Sequence, residues 1–554
     1  MKTIAMYDVT GIQDFVFASG KIKENVGASI IVQKVFEEYL NEVIEKACIN
    51  NCRTEWNQYS DFQICSEPEL QAEVLYMGGG NAMVAYQNRE TAINVTKKLS
   101  YEILERTGGT LKFAVVYQNT ECKDYLNDRD ELLKKLKINK YRMVHQTPLL
   151  GIGITRQGDT DGLPAMIPVK EDNTQKYLSK SAYFKRKTWE KEKKYFDRLL
   201  PNTTDYDFPL EFDDLGQKKG ENHIAVVHID GNNMGKMLNQ LLESDRTAEY
   251  QQSIQTVREF SKQVDKKYFS AMKCIVQELA DGLKTDKLFY KKLDPVVKEK
   301  KLLLPIRPIV RSGDDVTFVC NGKIGIALAE EFLTELDHHT ILLNDSETKL
   351  SACAGVAIVK SHFPFYRAYQ LAEELCKSAK MKGNILAKME NVEEIGNWLD
   401  FHIVQTGIST NLNEIRDKFC QVPGMEPPKE LKYPEYADMP EMRYKQYNLL
   451  WRPWCVAGNC DEKYQWNAFK AVYNEFEKEW KRSRLKKLES EMTRSANDAE
   501  IYIQECKSRG IKKLPECVRS SDLYRGGQTP YFDALELLDF YVTLPKAEEI
   551  SHEN

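Results

Sequence analysis

The sequence predicts an α+β protein that contains two copies of one strand-rich unit and ends in a mainly helical domain. Three observations support this prediction. A strand, a helix, a hairpin, a helix and a strand follow one another within residues 1–150, and the same order returns within residues 220–396. Helical periodicity dominates residues 397–554. At 554 residues the chain is also too long for one ordinary hydrophobic core.

The composition is that of a globular chain. Hydrophobic residues make up 42% and charged residues 29%, and no extended tract has the composition of a disordered segment. The formal net charge of -5 argues against a protein that coats nucleic acid through bulk electrostatics. We therefore expect any contact with a polynucleotide to be confined to a local basic groove.

The cysteines and the N-terminus indicate a cytoplasmic protein. The 13 cysteines form no CxxC pair, so we expect reduced thiols, without a disulfide framework or a zinc site. The opening MKTIAMYDVTGIQDF has an apolar run that is too short for a signal peptide and that Asp8 interrupts. No later window has the length and apolarity of a membrane span, so we expect no contact with a membrane.

The first copy, residues 1–150, begins with a strand over residues 3–7 that ends at Asp8, followed by a helix predicted over residues 28–46. The segment VLYMGGGNAMVAY, residues 74–86, places two apolar strands around three glycines, which is the pattern of a hairpin. The last strand is LKFAVVYQ, residues 111–118.

The second copy, residues 220–396 with a helical insertion, repeats this order in IAVVHIDGNNMG, RSGDDVTFVC and LSACAGVAIV. Superimposing the copies sets Asp8 against Asp230. It also sets Gly80 and Asn81 against Asp314 and Asp315. The second copy therefore keeps its hairpin carboxylates, whereas the first copy is degenerate.

Two further regions complete the chain. Residues 151–219 link the copies and include the amphipathic stretch SAYFKRKTWEKEKKYFDRLL, whose mixed charges favour a solvated helix face over an RNA contact. Residues 397–554 contain the helical patterns FKAVYNEFEKEWKRSRLKKLESEM and DALELLDFYV, and a proline-rich loop over residues 422–440.

Three aspartates are the candidate catalytic residues and metal ligands. Asp314 and Asp315 are adjacent on a tight turn, where two like charges need either full solvation or a cation, and Asp230 ends a strand that we expect beside them. Carboxylates that converge from separate strands suit a two-metal site for nucleotidyl transfer, and an all-oxygen ligand set suits Mg²⁺ or Mn²⁺. The backbone carbonyl of Ile229 or Gly231 is a candidate additional ligand. The alternative is that these aspartates are ordinary turn and helix-cap residues.

Glycines, amides and lysines near these aspartates are candidates for binding a triphosphate. The run after Asp230 opens a helix and permits close approach of phosphate to free backbone N–H groups. A helix in FYRAYQLAEELCKSAKMKGN carries lysines at its predicted basic end, and Lys380 is the candidate to reach the β and γ phosphates. The alternative for these lysines is a favourable charge set at a helix C-terminus. The candidate phosphate-binding residues are Gly231, Asn232, Asn233, Gly235, Lys380 and Lys382.

Histidines are not expected to act in catalysis. His338 and His339 are adjacent to Asp337 at the end of a predicted helix, so the three side chains cannot readily converge on one ion. His228 lies inside the strand before Asp230 and is expected to pack there rather than act as a general base.

These motifs resemble the large polymerase/cyclase subunit of type III CRISPR effector complexes, and more distantly the GGDEF-type nucleotidyl cyclases. GIQDFVFASGKIKENVGAS resembles the start of that subunit's first palm domain, and YMGGGN resembles its degenerate first hairpin. HIDGNNMG, SGDD and SAKMKGN resemble its catalytic second palm domain. The likeness runs over most of the chain.

The resemblance implies two ferredoxin-like palm domains, the first degenerate and the second active, followed by a helical domain. It implies an enzyme that condenses ATP into cyclic oligoadenylate, a second messenger of antiviral defence, with Asp230, Asp314 and Asp315 as metal ligands. Ser312 and Gly313 then belong to the hairpin that binds nucleotide. Two ions and ATP are the implied cofactor and substrate.

Three features depart from the family pattern. We expect no nuclease domain before the first palm, residues 151–219 contain no cysteine for a zinc knuckle, and Ser312 replaces the first glycine of the usual hairpin quartet. Two alternatives for the partners therefore stay open. The protein acts with other type III subunits and guide and target RNA, or it is a free-standing enzyme that can form a homo-oligomer. The function stays open between this synthetase, a non-catalytic RNA-binding scaffold and a cyclase that makes a cyclic dinucleotide.

Overall fold

The fold is mixed α/β and contains two large sheets, of five and six strands. The computed structural model describes residues 2–49, 51–59, 61–143, 152–171, 174–216, 221–244, 249–343, 346–392, 394–405, 411–426, 443–510 and 513–545. Within these stretches, no helix combines the length and the apolar composition that crossing a lipid bilayer requires.

The first unit, residues 2–143, is built on the five-stranded sheet, in the order β2-β3-β4-β1-β5. Its helix α4 begins where the Asn88 side chain accepts a hydrogen bond from Thr91 N and ends at Gly108, which has φ 65°. A π-helix, Val35–Leu40, joins α2 to α3. The elements are β1 (Lys2–Thr10), α1 (Ile12–Val16), α2 (Ile22–Lys34), α3 (Asn41–Ala47), β2 (Cys52–Arg53), β3 (Ala72–Gly78), β4 (Asn81–Tyr86), α4 (Arg89–Thr107), β5 (Lys112–Thr120) and α5 (Tyr125–Arg142).

The linking region packs on the first unit through one helix. A Cβ on Gly27 of α2 would lie 1.9 Å from the carbonyl oxygen of Lys185, so only glycine permits this approach. Lys185 is buried and its Nζ donates to the carbonyl of Phe15 at 2.6 Å. The helix face expected to be solvated is therefore partly an internal contact. The elements are β6 (Ile167–Glu171), β7 (Thr174–Leu178), α6 (Lys180–Lys191) and β8 (Tyr206–Asp207).

The second unit is built on the six-stranded sheet, in the order β12-β13-β9-β16-β17-β20. A 36-residue helix, α8, lies in the insertion between β9 and the hairpin β12–β13. The elements are β9 (His223–Gly231), α7 (Met234–Ser244), α8 (Tyr250–Thr285), α9 (Lys287–Leu293), β10 (Val297–Lys298), β11 (Lys301–Leu303), β12 (Ile306–Ser312), β13 (Asp315–Asn321), α10 (Gly325–Asp337), β14 (Thr340–Leu343), β15 (Ser346–Lys349), β16 (Ala352–Lys360), α11 (Phe365–Glu390) and β17 (Asn397–Ile403).

The chain after residue 396 contributes strands as well as helices. β17 pairs in parallel with β16, and β20 pairs with β17, so the sheet of the second unit continues past the expected boundary at residue 396. β18 pairs antiparallel with β19 ahead of β20, and residues 427–440 of the expected proline-rich loop lie outside the described residues. The elements are α12 (Leu412–Phe419), β18 (Gln421–Glu426), β19 (Arg443–Asn448), β20 (Trp454–Ala457), α13 (Trp466–Glu479), α14 (Arg482–Arg494), α15 (Ala496–Ser508) and α16 (Phe532–Glu536).

Both faces of the second sheet are buried, which explains the near-continuous apolar run of β9. Val226 faces a hydrophobic cluster that includes Ile31 of α2, and so packs against the first unit. Val227 faces the opposite cluster, which contains Ile275 of α8 and Trp454 of the C-terminal part. The sheet that carries the hairpin aspartates is therefore held from both sides.

The internal duplication is visible in the strand register. β4-β1-β5 and β13-β9-β16 have the same antiparallel neighbours, and Asp8 faces Asn81 as Asp230 faces Asp315. Both hairpins carry a bulge at equivalent positions, between Val74 and Tyr76 in the first and between Pro308 and Val310 in the second. The correspondence inferred from sequence is thus the structural one.

Candidate active site

The three aspartates lie at one end of the second sheet. Asp230 is the penultimate residue of β9, and Asp315 begins β13 directly opposite it. Ser312 pairs with Asp315, so Gly313 and Asp314 form a two-residue turn, and Gly313 has the positive φ of 62° that this turn requires. The structure thereby brings together the three candidates that sequence reasoning selected.

The carboxylates repel one another. Burial, and then the Asp230 charge, raise the pKa of Asp314 to about 6. Burial, followed by the charges of Asp230 and Asp314, raises the pKa of Asp315 well above its usual value. The Oδ1 atom of Asp315 is enclosed and has no hydrogen-bond partner. This arrangement is unfavourable without a cation.

Lys380 supplies a positive charge at this end of the sheet. Its Nζ donates to the Asp230 carboxylate and to the carbonyl of Gly231, the latter at 2.7 Å. Burial alone would lower the pKa of Lys380, but the Asp230 carboxylate raises it. Because α11 continues to Glu390, Lys380 is not at a helix C-terminus, and the alternative based on the helix dipole is wrong.

Lys382 does not join this group. Its Nζ lies 4.0 Å from the ring centroid of Tyr464, in the C-terminal part, and so makes a cation–π contact. Residues two positions apart on a helix face different directions, which explains how Lys380 reaches the carboxylates and Lys382 does not.

The loop after Asp230 contains both buried and exposed residues. Asn232 is buried, and its amide donates to the carbonyl of Gly396 at 2.9 Å and to Ser351 Oγ at 3.2 Å. Asn233 adopts a left-handed φ of 57° and its carbonyl accepts from Met237 N, which starts α7. A Cβ on Gly235 would meet nothing within 4 Å. The first turn of α7 is therefore open, whereas Asn232 anchors the loop from inside.

Of the two backbone carbonyls considered as ligands, that of Gly231 faces the carboxylates. It accepts from Lys380, and a Cβ on Gly231 would lie 2.7 Å from Asp314 Cβ. Ile229 is fully buried within β9, in register with Val316 on one side and Ala354 on the other.

Tyr268, which sequence reasoning missed, packs beside Gly231 and near the carboxylates of Asp230 and Asp314. It lies on α8, and its hydroxyl would be 2.7 Å from a Cβ on Gly231. Burial, and then the charges of Asp314 and Asp230, raise the pKa of Tyr268 well above its usual value. Nothing in the sequence indicates this role, because Tyr268 is 38 residues beyond Asp230 in a helix whose only local signal is amphipathicity.

The histidines have other partners. His228 is buried, and its Nδ1 lies 3.1 Å from Thr317 Oγ1 and 3.5 Å from Asp315 Oδ1. Burial lowers the pKa of His228 to about 4, so it is neutral. Nδ1 of His338 and Nε2 of His339 lie 3.8 and 3.4 Å from the Glu335 carboxylate. His228 packs within the sheet as predicted.

A cavity of about 210 Å³ lies between the two hairpin turns. Glycines 78–80 of the first unit line one side, and Ser312 and Gly313 of the second unit line the other. Trp56 contributes an aromatic wall, with Lys262 Nζ 5.9 Å from its ring centroid. The cavity is thus adjacent to the carboxylates and uses both copies of the duplicated unit.

Residues 223–387 match the family model of the Cas10/Cmr2 second palm domain. The match confirms the resemblance inferred from HIDGNNMG, SGDD and SAKMKGN. It runs from the first residue of β9 into α11, so it contains Asp230, Asp314, Asp315 and both lysines. The carboxylate end of the second sheet is therefore the end of a palm domain.

The solved structures with distant similarity include Csm1–Csm4 cassettes and Csm1 itself. A Csm1–Csm4 cassette in complex with cA4 is 14% identical, with a TM-score of 0.41, over 69% of this chain and 53% of that chain. A cassette in complex with pppApApA is 12% identical, with a TM-score of 0.46, over 97% and 69%. Csm1 of T. onnurineus is 14% identical, with a TM-score of 0.38, over 69% and 52%. The chain spans about half the length of the first of these. No curated protein matches it.

The first unit repeats part of the arrangement of the second unit. Asp8 occupies the position of Asp230, and Lys140 of α5 lies 2.7 Å from its carboxylate, as Lys380 of α11 contacts Asp230. Burial raises the pKa of Asp8, and Lys140 opposes that shift. Gly80 and Asn81 stand where the second palm domain has Asp314 and Asp315. The first unit therefore has the strand aspartate and its lysine but lacks the two hairpin aspartates.

Proposed function

We propose that this protein is a metal-dependent nucleotidyltransferase that condenses ATP and closes the product into a cyclic oligoadenylate, a second messenger in antiviral defence. The observation that carries the proposal is the placement of Asp230, Asp314 and Asp315 at one end of the second palm domain. Three mutually repelling carboxylates are costly to maintain, and a structural role gives no reason to keep them.

The carboxylates fit Mg²⁺ or Mn²⁺. Asp230, Asp314 and Asp315 would hold two ions, with the carbonyl of Gly231 or Ile229 as an additional ligand, and the unpartnered Asp315 Oδ1 supports this assignment. Within the described residues, no group of three or more Asp, Glu, His or Cys side chains is already arranged around one point. Lys380 instead neutralises Asp230. When bound, the ions would activate the attacking 3′-hydroxyl and stabilise charge on the α-phosphate.

The chain's own groups then orient the triphosphate. We propose that Lys380 moves from Asp230 to the β and γ phosphates, since its flexible stem lets the ammonium exchange one anionic partner for another. The open first turn of α7, with Asn233 and Gly235, offers free backbone N–H groups to the same phosphates. Pyrophosphate leaves from this position.

The cavity between the hairpins supports a place for the acceptor nucleotide. Its glycine turns allow close approach of a base to backbone, and Trp56 offers a stacking surface. In this proposal residues 1–150 form a degenerate palm that binds without catalysing, and Ser312 and Gly313 border the base.

The partners follow from the same comparison. The similar structures are described as Csm1 with Csm4, in the type III-A CRISPR-Csm complex and with ATP or cyclic oligoadenylates. We propose that this chain binds nucleoside triphosphates, and that it acts either with comparable subunits and guide and target RNA or as a free-standing enzyme or homo-oligomer. The net charge of -5 favours the free-standing case, since it offers little non-specific attraction to RNA.

The test is to incubate the purified protein with each labelled nucleoside triphosphate and Mg²⁺ or Mn²⁺, with and without an RNA-loaded complex, and to resolve the products by mass. Cyclic oligoadenylate from ATP is the expected product. A cyclic dinucleotide would change the product and keep the reaction class. Absence of any condensed product under all these conditions would favour the non-catalytic scaffold.

A further inference from the structure

Asn232, the second residue after Asp230, is held inside the protein and not in the open first turn of α7. The sequence predicts it among the phosphate-binding residues, but only 3% of its surface is exposed. Its neighbours Asn233 and Gly235 border the open turn. The Asn232 side chain therefore has partners other than a phosphate.

Every polar atom of the Asn232 side chain has a partner. Its Nδ2 donates to the carbonyl of Gly396 at 2.9 Å and to Ser351 Oγ at 3.2 Å. Its Oδ1 accepts from Cys353 Sγ at 3.3 Å. An asparagine amide offers two N–H donors and one carbonyl acceptor, so both donors are used. These contacts tie the end of β9 to the start of β16 and to the residue before β17.

The backbone N–H of Asn232 determines where the carbonyl of Gly231 points. The two groups belong to one peptide unit, which is planar, and in a trans unit they point in opposite directions. The N–H donates to the carbonyl of Ser351 at 2.8 Å, on the side of β16. The Gly231 carbonyl consequently points the other way, where it accepts from Lys380 Nζ at 2.7 Å. Fixing Asn232 thus fixes this carbonyl at the carboxylate end of the sheet.

Gly231 cannot supply that rigidity itself. A Cβ at this position would lie 2.7 Å from Asp314 Cβ and 2.7 Å from the Tyr268 hydroxyl, so the crowding next to the carboxylates requires glycine. Glycine is also the residue with the greatest backbone freedom. The residue that follows it must therefore restrict the peptide plane, and Asn232 is the buried residue in that place.

We propose that Asn232 is a positioning residue for the divalent cation, and the cation itself rests on the function proposed above. Its side chain locks the peptide unit between Gly231 and Asn232 onto Ser351 and Gly396. The Gly231 carbonyl and the Asp230 carboxylate are then presented together on the side of Asp314. Cys353 pairs with Asp230 in the sheet, so the same contacts also hold the strand next to that aspartate.

A purely structural role for Asn232 makes a different prediction. If its hydrogen bonds only stabilise the fold, their loss lowers the unfolding temperature and leaves the cation affinity of the folded protein unchanged. If they position the ligands, the folded variant binds the cation more weakly. Cation affinity measured on folded protein therefore separates the two roles, and this measurement needs no nucleotide turnover.

The test is a Mn²⁺ titration of the metal-free, full-length protein, followed by the electron paramagnetic resonance signal of free Mn²⁺. Binding that disappears in Asp314→Asn defines the site. Asn232→Ala should bind about ten-fold more weakly, which is the lower end of the range for losing a residue that holds a metal ligand in place. Asn497→Ala is the matched control, because the Asn497 side chain bonds the backbone of Met425 in the C-terminal part, and it should keep the wild-type affinity.

Ser351→Ala provides a second variant in case Asn232→Ala does not fold. It removes only the 3.2 Å bond, so we expect a loss of Mn²⁺ affinity of about three-fold. The double variant should bind no more weakly than Asn232→Ala, because Ser351 Oγ acts through the Asn232 amide. Wild-type affinity in folded Asn232→Ala, or in Ser351→Ala where the first variant is unfolded, would overturn the proposal.

The result is also distinct from a failure of the proposed function. A chain whose Mn²⁺ affinity depends on Asn232 but which forms no nucleotide product would refute the synthetase and keep the positioning role. A chain that forms product with the same Mn²⁺ affinity in Asn232→Ala as in the wild type would refute the positioning role alone. Absence of Mn²⁺ binding by the wild type would refute both.

Discussion

Replacing Asp314 with asparagine should stabilise the metal-free protein. Burial and the Asp230 charge raise the pKa of Asp314 from 3.8 to about 6. Each pKa unit corresponds to about 1.4 kcal/mol of free energy, so ionising Asp314 in the folded state costs up to about 3 kcal/mol. Asparagine keeps the shape of the side chain and removes the charge, but it retains a polar group to bury. We therefore expect a gain of about 1–3 kcal/mol in the free energy of unfolding at pH 8.

The raised pKa of Asp314 also predicts how the free energy of unfolding changes with pH. Because the folded-state pKa is above the unfolded one, the folded protein binds more protons between pH 3.8 and about 6, and wild-type stability falls as pH rises through that window. Asp315, whose pKa is also raised, adds to this fall. The Asp314→Asn variant should lose part of the fall, so the two proteins should differ little at pH 4 and most above pH 6.

Calorimetry in EDTA at pH 4, 6 and 8 measures this difference, with a Mg²⁺ titration at pH 8. Mg²⁺ should stabilise the wild type more than the variant, because only the wild type keeps all three carboxylates. Asp417→Asn, which removes an exposed carboxylate from α12, is the matched control and should change neither curve. Destabilisation of Asp314→Asn by more than about 1 kcal/mol in EDTA at pH 8 would show that the carboxylate is not strained, and would refute the reasoning.

Three further predictions concern turnover and binding. Asp230→Ala or Asp314→Ala should abolish product in the mass-resolved nucleotide assay while circular dichroism stays native; normal yield from either would remove these residues from the catalytic assignment. Lys380→Met should reduce turnover at least ten-fold by loss of phosphate binding. The control Lys382→Met removes a cation–π contact, and its turnover should stay within two-fold of the wild type. Equal losses of turnover in the two variants would contradict the placement of Lys380. Gly79→Val should weaken nucleotide binding measured by calorimetry, because Gly79 has φ 58° and lines the cavity. The affinity for Mg²⁺ should stay unchanged. A change in Mg²⁺ affinity instead of nucleotide affinity would argue against a first unit that only binds nucleotide.

The sequence was sufficient for the duplicated architecture because the informative signals are local. Strand runs such as IAVVHID alternate between two buried faces, and glycine-containing turns mark both hairpins, so strand order and the pairing of Asp230 with Asp315 follow from short segments. The same logic located Lys380, which lies about four helical turns into an amphipathic helix.

Contacts between distant segments could not be predicted. Tyr268 reaches Gly231 only because a long inserted helix folds back under the sheet, and Lys382 turns away only because Tyr464 offers a ring. The sequence predicts a boundary at residue 396, and it gives no sign that β17, just beyond it, pairs in parallel with β16 of the second unit. In each case a contact with a distant segment determines where the residue or strand lies, and the local sequence pattern does not predict that contact.

Comparison of the two palm-like units separates what the fold needs from what the proposed chemistry needs. Both keep an aspartate at the end of the first strand with a lysine from the helix after the last strand, Asp8 with Lys140 and Asp230 with Lys380. A pair that survives in a unit without hairpin carboxylates is explained by local charge balance, since a half-buried aspartate needs a cation nearby. The hairpin carboxylates have no such explanation, because they add repulsion that Lys380 alone does not cancel. Transplanting Asp314 and Asp315 to positions 80 and 81 should therefore destabilise the first unit unless Mg²⁺ is added, and that difference would identify the hairpin pair as the element that recruits the ion.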